Sequence, residues 1–360
     1  MGTRWAKWCL IGMLTAMLSA HAQAPIPASR GHHGETPTSY TQITLRPADT
    51  AQLKGKGYRA ALVLHTSSDF SSALVAGARK AFDEMGITVV AVTDADMDPK
   101  KQRTDLETVM ALKPDLIASL VIDPVSGAVA FRPVVAAGVK LVFISNVPQG
   151  FVPGRDYAGI VTDDYLAMGR TAAEVLANSI QGKGEVALIY HAANYFVTNQ
   201  RDNAVKQALA RYPGIRLVAT RGIANQQDGE AIASAILTQF PHVSAIYAPW
   251  DSIAEGVTAA ARAAGRPDLK VVTMDLGAAN ALDMVKGGNM AGIVSDLPYD
   301  MGVTVARMGG LALLGRSTPP FVTVDALRVD SANLTSQWQR ALRRPLPAAV
   351  VQAAARKALR

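Results

Sequence analysis

The chain has 360 residues, 49% of them hydrophobic, a formal net charge of +7 and one cysteine. That is enough apolar material for two ordinary domains with real cores. The charge at first points to nucleic acid or an anionic membrane, but its placement excludes both: Arg4 and Lys7 lie in the first seven residues, and Arg340, Arg343, Arg344, Arg356, Lys357 and Arg360 crowd a stretch with no acids after Asp330. Without these eight charges the body carries about −1, and a nucleic-acid partner needs a basic face on the folded domain.

Residues 1–22 read as a cleaved secretory signal, with Arg4 and Lys7, an apolar run over 9–18 and Ala20-His21-Ala22 as a small-x-small cleavage site. The run is shorter than the ~20 apolar residues of a membrane span. Cys9 would leave with the signal, so the mature chain has no disulfide to use, and an exported protein that relies on its core alone points to the bacterial periplasm. Residues 23–57 are rich in Pro, Thr, Gly and Ser without sustained periodicity and read as a flexible arm. His32-His33 within it is read as a solvated pair.

A repeating unit then begins. The apolar run 60–64 turns polar at His65-Thr66-Ser67-Ser68-Asp69 and continues as an amphipathic helix with Leu74, Val75, Ala78 and Phe82 on one face. A continuous apolar run followed by such a helix marks a parallel strand and its crossover, and Ser68 or Asp69 suits the helix N-cap. Strands follow at 87–92, 116–122, 140–144 and 157–161, with helices at 101–112 and 128–137 between them. Thr162-Asp163-Asp164 caps a long helix over 165–180, and after the turn at 181–184 the series restarts. Its strands are 185–190, 215–220, 243–248, 270–274 and 291–295, and its helices 199–210, 228–239, 253–264 and 279–286. A helix over 299–314 and a strand at 321–324 close it. Two successive runs of alternating strand and helix predict an α/β protein with parallel sheets in two lobes. The last residues look helical and basic, with no role in that scheme.

In open parallel sheets, ligands bind beyond the carboxyl ends of the strands. Those ends carry Ser68, Asp69, Phe70, Asp123, Ser145, Asn146, Trp250, Asp251, Asp275 and Asp296. Tyr195 lies in the loop before a crossover helix and Arg201 near that helix's start. Planar amides and carboxylates fix hydroxyl directions, and aromatic faces stack on the C–H faces of sugars and polyols. Each Asp taken singly also fits a helix cap. Five acids with one obvious cation argue against an anionic ligand, which calls for Arg, Lys or a glycine-rich helix start; a neutral ligand or one carrying an amine is expected. Asp94, Asp96 and Asp98 have the alternate spacing of a calcium loop, but Pro99 stands where that loop needs Gly. No metal or cofactor motif and no nucleophile elbow appears. His65 and His191 sit at strand ends, where an acid–base role is possible and a neutral hydrogen-bonding or packing role simpler, so no enzyme is expected.

In order, Ser67-Ser68-Asp69-Phe70, Asp123-Pro124, Arg201, Trp250-Asp251, Val272-Thr273-Met274-Asp275 and Ser295-Asp296-Leu297-Pro298 resemble the ribose-binding, type I family of periplasmic solute-binding proteins that serve ABC sugar importers. The resemblance covers about 58–332. It implies two Rossmann-like lobes joined by three crossovers, near Thr162, Asp296-Leu297 and Asp325, that close on a sugar. The division it implies is 58–161 with 297–325 for one lobe and 162–296 with 326–335 for the other, leaving 336–360 as a basic tail outside both. By position, Phe70 would stack on the ligand, Arg201 would donate to its oxygens, Asp275 would accept hydroxyl protons and Asp296 would lie at the hinge edge. Relatives often carry Asp-Arg where this chain has Ser145-Asn146, and Asn at the position of Trp250. The implied partners are a small-molecule ligand and an inner-membrane ABC permease, or, for a sensing role, a chemoreceptor or sensor kinase. LacI-type repressors share the fold but need an N-terminal helix-turn-helix, where this chain has the signal-like segment.

Overall fold

The structure is a computed structural model and describes residues 28–358. The signal-like segment 1–22, with Cys9, lies outside the described residues. The chain begins with β1 (Thr38–Ser39) and α1 (Pro47–Leu53), then runs β2 (Arg59–Leu64), α2 (Asp69–Glu84), β3 (Thr88–Asp94), α3 (Pro99–Ala111), β4 (Leu116–Ser119), α4 (Pro124–Ala136), β5 (Lys140–Ile144) and β6 (Gly159–Asp163). It continues with α5 (Tyr165–Ser179), β7 (Gly184–His191), α6 (Phe196–Leu209), β8 (Ile215–Ile223), α7 (Gly229–Gln239), β9 (Val243–Ala248), α8 (Asp251–Ala263), β10 (Lys270–Met274), α9 (Ala278–Lys286) and β11 (Met290–Ser295). Last come α10 (Pro298–Leu313), β12 (Phe321–Val324), β13 (Leu327–Val329), α11 (Leu334–Leu342) and α12 (Ala348–Ala358).

The first sheet has the order β1-β12-β6-β5-β4-β2-β3, with every pair parallel; the second has the order β13-β11-β10-β9-β7-β8, parallel except for β13. The apolar runs are explained by burial on both faces. Side chains alternate across a strand, so Leu62 and Leu64 share a core with Leu74, Phe82 and Met301, while Ala61 and Val63 share another with Leu106 and Phe131. In the second sheet Ile246 and Ala248 join Ile253 and Val257, and Ala245 and Tyr247 join Met168 and Leu176. The chain passes between the sheets three times: after β6 into α5, after β11 into α10, and after β12 into β13. Helices α2 and α10 meet through glycines. A Cβ on Gly302 would lie 1.9 Å from the Leu74 carbonyl oxygen, and one on Gly77 would lie 2.0 Å from that of Tyr299.

Two expectations are corrected. The described part of 23–57 is not a loose arm. Ser29 Oγ donates to Asp164 at 2.6 Å, His32 stacks on Phe196 with ring centroids 3.9 Å apart, and β1 extends the first sheet. Leu53 of α1 is fully buried in the core that also holds Met85. Single anchors of this kind leave no periodicity in the sequence. The tail after residue 335 does not stand outside the lobes either: Trp338 and Leu342 of α11 and Val350 of α12 are buried in the shared core. Among the described residues no helix is long and apolar enough to cross a membrane, and no cluster of three or more His, Cys, Asp or Glu side chains is placed to hold a metal ion.

Candidate ligand-binding cleft

The carboxyl ends of the two sheets face each other across a cavity of about 630 Å³. The first lobe contributes Ser68, Asp69 and Phe70 from the start of α2, and Ser145 and Asn146 after β5; the second contributes Tyr195 and Arg201 from either end of the first turns of α6, Trp250 and Asp251 after β9, and Asp275 after β10. Ten of the residues expected from the sequence therefore line one space. Asp123 is not among them. Its Oδ1 accepts the Ser126 amide at 2.6 Å, so it serves as the N-cap of α4. Asp296 is also absent from the wall and lies buried behind Arg201.

Two turns repeat across the cleft. Ser145 and Asp275 each follow the central strand of their sheet in a left-handed conformation (φ 58° and 63°), and their amides donate to Val161 and Val294 of the neighbouring strand, each at 2.9 Å. Such backbone angles are costly for residues with a Cβ, though least so for Asp and Asn, and they concentrate at functional sites. Aromatic rings flank the space on both sides. Phe70 meets His65 edge-on in the first lobe, and in the second His191 is wedged against Trp250 and Tyr195, with centroids 5.1 and 5.0 Å away. Trp250 is oriented by its Nε1, which donates to Ser252 Oγ at 2.8 Å. Tyr195 Oη and His65 Nδ1 are buried without a hydrogen-bond partner, a cost that a polar ligand would relieve. Two hydrogen bonds join the lobes beside the cavity: the Ala278 amide donates to Asp69 at 2.8 Å, and the Val197 amide to Asn146 Oδ1 at 3.5 Å.

Arg201 is only 6% exposed and holds three carboxylates. Its Nε donates to Asp163 at 2.7 Å, one terminal nitrogen lies 3.5 Å from Asp275, and the other is 3.8 Å from Asp296. Burial alone would ease the proton off, but Asp163 and Asp275 more than offset it and hold the guanidinium charged. Burial pushes the Asp275 and Asp296 carboxyls above the usual range. Asp163 ends β6 and Asp296 follows β11, so the guanidinium ties together two of the three crossovers. Sequence reading placed Asp163 only as part of a helix cap. Its partner arrives from α6, 38 residues further on.

The wall also carries Glu255 and Gln226, which no motif marked. Asp251 accepts the Ser252 amide at 2.8 Å, and burial, then the carboxylates of Asp275, Glu255 and Asp69, push its pKa up to about 7. The folded value stands above an unfolded one of about 3.9, so the neutral acid stabilises the fold at low pH and that contribution is lost as pH rises toward 7. Asp251→Asn, neutral throughout, is expected to melt close to the parent at about pH 4 and above it at about pH 8. Thermal melts without ligand check this; a gap independent of pH would show that Asp251 ionises as freely in the folded chain as in the unfolded one.

A profile described as "Periplasmic binding protein domain" matches residues 60–317. The ribose import binding protein RbsB of Escherichia coli is 24% identical over 295 residues, spanning 80% of this chain and 95% of that protein. The D-allose-binding periplasmic protein of Escherichia coli is 26% identical over 220 residues, 57% of this chain and 71% of its own length. An ABC transporter solute binding protein from Agrobacterium vitis, solved with alpha-D-tagatopyranose, matches with a TM-score of 0.72 at 22% identity, over 81% of this chain and 99% of that one. The profile spans most of the chain and the facing sheets and crossovers form a type I periplasmic binding fold, so the chain belongs to the periplasmic binding protein family.

Proposed function

We infer that this chain is the periplasmic substrate-binding component of an ABC importer and that it captures a small neutral sugar or polyol by closing two lobes over it. One observation carries the reading: a cavity between the ends of two parallel sheets combines planar hydrogen-bonding groups with aromatic rings on both sides, and inter-lobe hydrogen bonds flank it. The moving units are 58–161 with 297–325 and 162–296 with 326–335. A ligand touching both lobes only when they are closed shifts the population toward that state by its differential affinity. Export through the cleaved segment 1–22 delivers the chain to the periplasm, where the closed form meets an inner-membrane permease. The ribose, allose and tagatose named for the relatives set the first compounds to try. The site is one for binding, with no turnover of the ligand.

A thermal-shift screen over pentoses, hexoses and polyols, followed by calorimetry, tests this. The variant to compare is Asp275→Asn, because Asn tolerates the left-handed backbone that Ala would strain. Losing its charge leaves ligand hydroxyls poorly paired in a closed site, at about 1–3 kcal/mol. The dissociation constant is therefore expected to rise roughly tenfold to a hundredfold, and Trp250→Ala should raise it through lost stacking. Parental affinity in both variants would overturn the site, and a screen in which no sugar or polyol binds would overturn the ligand class.

A further inference from the structure

The C-terminal helices reach both lobes. α11 packs on α2 and α10 of the first lobe and also touches β13 at the edge of the second sheet. It is anchored by the fully buried Trp338, whose Nε1 donates to the Pro345 carbonyl at 3.1 Å. α12 packs along α9 of the second lobe. Between them, Arg343 ends α11 in a left-handed turn (φ 52°) and faces Asp300 at 3.7 Å. The next residue, Arg344, lies over the Trp338 ring, 5.4 Å from its centroid, and its guanidinium bonds Asp69 Oδ1. The other Asp69 oxygen accepts the Ala278 amide, at the first residue of α9. Both Asp69 oxygens are thus engaged by the protein, one by Arg344 of the C-terminal segment and one by Ala278 on the second lobe's side of the cavity wall. Asp69 also faces Asp251 and Glu255 across the cleft, and its charge acts on both. Without a cation beside it, these like charges would push the lobes apart.

We propose that residues 334–358 form a clasp that stabilises the closed cleft, with Arg344 as a positioning residue that holds Asp69 against the second lobe. The proposal rests on the hinge-closure reading above. Opening the cleft separates Asp69 from Ala278 and draws α2 away from α9, on which α12 packs. The Asp69–Ala278 bond and the span from α11 to α12 therefore favour the closed state, while Arg344, on the same lobe as Asp69, keeps that carboxylate aimed at Ala278. Apparent affinity scales with the fraction of protein able to close.

The experiment compares the full chain with Arg344→Ala, Arg344→Lys and a chain ending at Pro347, which removes α12 and leaves the α11 anchor in place. Two quantities are read: the dissociation constant for D-ribose, and the radius of gyration without ligand from X-ray scattering. Arg344→Ala removes one partly exposed ion pair, so the dissociation constant should rise about two- to fivefold, through faster dissociation. Arg344→Lys should recover part of that rise, and the shortened chain should show at least as large an effect. Combining Arg344→Ala with Asp69→Asn should add nothing to Asp69→Asn alone. A larger radius or a weaker affinity in Arg344→Ala and the shortened chain supports the clasp; parental values of both overturn it, and full additivity with Asp69→Asn overturns Arg344 acting through Asp69. If D-ribose fails to bind the parent, the scattering comparison still decides the clasp, separately from the ligand reading.

Discussion

Arg201→Ala is expected to lower the melting temperature of the ligand-free protein by roughly 6–20 °C, a loss of about 3–5 kcal/mol. Sequence reading made Arg201 a ligand donor whose removal would spare the apo fold, with a structural ion pair as the alternative. The geometry favours the alternative as the larger effect, because the guanidinium is buried against Asp163, Asp275 and Asp296. Removing it leaves three carboxylates in a poorly hydrated site with no cation, and uncompensated buried charge is the expensive outcome. The pH dependence separates this cause from a simple cavity. Orphaned buried acids have folded pKa values above their unfolded ones, so their neutral forms stabilise the fold at low pH and the deficit grows as pH rises. Calorimetric melts of Arg201→Ala at about pH 4 and pH 8 should therefore show the smaller deficit at the lower pH. A deficit equal at both would point to lost packing, and a parental melting point with weakened ligand binding would return Arg201 to the role of ligand donor alone.

Gly302→Val should leave little folded first lobe. A Cβ at 302 would stand 1.9 Å from the Leu74 carbonyl oxygen and 2.8 Å from the Ala78 amide nitrogen, both backbone atoms of α2. Backbone inside a helix has no rotamer to turn, so α2 and α10 must separate along their contact and Leu74, Phe82 and Met301 lose their packing. Overpacking usually costs about 1–3 kcal/mol, and a clash with backbone belongs at or above the top of that range. Gly77→Val meets Tyr299 in the same way and should behave alike. Gly127→Ala is the contrast: its Cβ would meet the Val121 Cγ1 at 2.7 Å, the end of a side chain that can shift. Circular-dichroism melts of the three variants test the distinction, and a Gly302→Val protein that melts like Gly127→Ala would refute it.

The fold was legible because each strand is buried on both faces and each is followed by a helix with one apolar stripe; Ala60–Leu64 leading into Leu74, Ala78 and Phe82 shows both signals within 23 residues. Much of the cleft was legible for a related reason, since the strand ends at Asp69, Ser145, Trp250 and Asp275 converge whenever parallel sheets face each other. What failed depended on contacts distant in sequence. Asp163 and Asp123 look alike, each an acid at a strand end before a helix; one takes the buried Arg201 and the other caps α4. Asp296 follows β11 at the second crossover, the hinge edge expected of it, but it is buried 3.8 Å from Arg201 and does not line the wall. The segment 28–57 carries too few apolar positions to show a face. The segment 334–358 does carry one, with Leu334, Trp338, Ala341 and Leu342 along a single side of α11, but nothing in the local sequence says which core that face joins. Leu53, Trp338 and Val350 each fill a site in a core built by other elements.

The strands that end the two sheets on the crossover side are very short: β1 has two residues and β13 has three. Unpaired sheet margins are templates for the strands of other molecules, and proteins blunt them by keeping the outermost strand brief. Here the blunting strands come from the N-terminal segment and from the third crossover itself. On the crossover side, then, the N-terminal segment and the third crossover leave a neighbouring copy no long ladder to join, and the longer margins, β3 and β8, lie at the far side of each sheet, away from the segments that link the lobes.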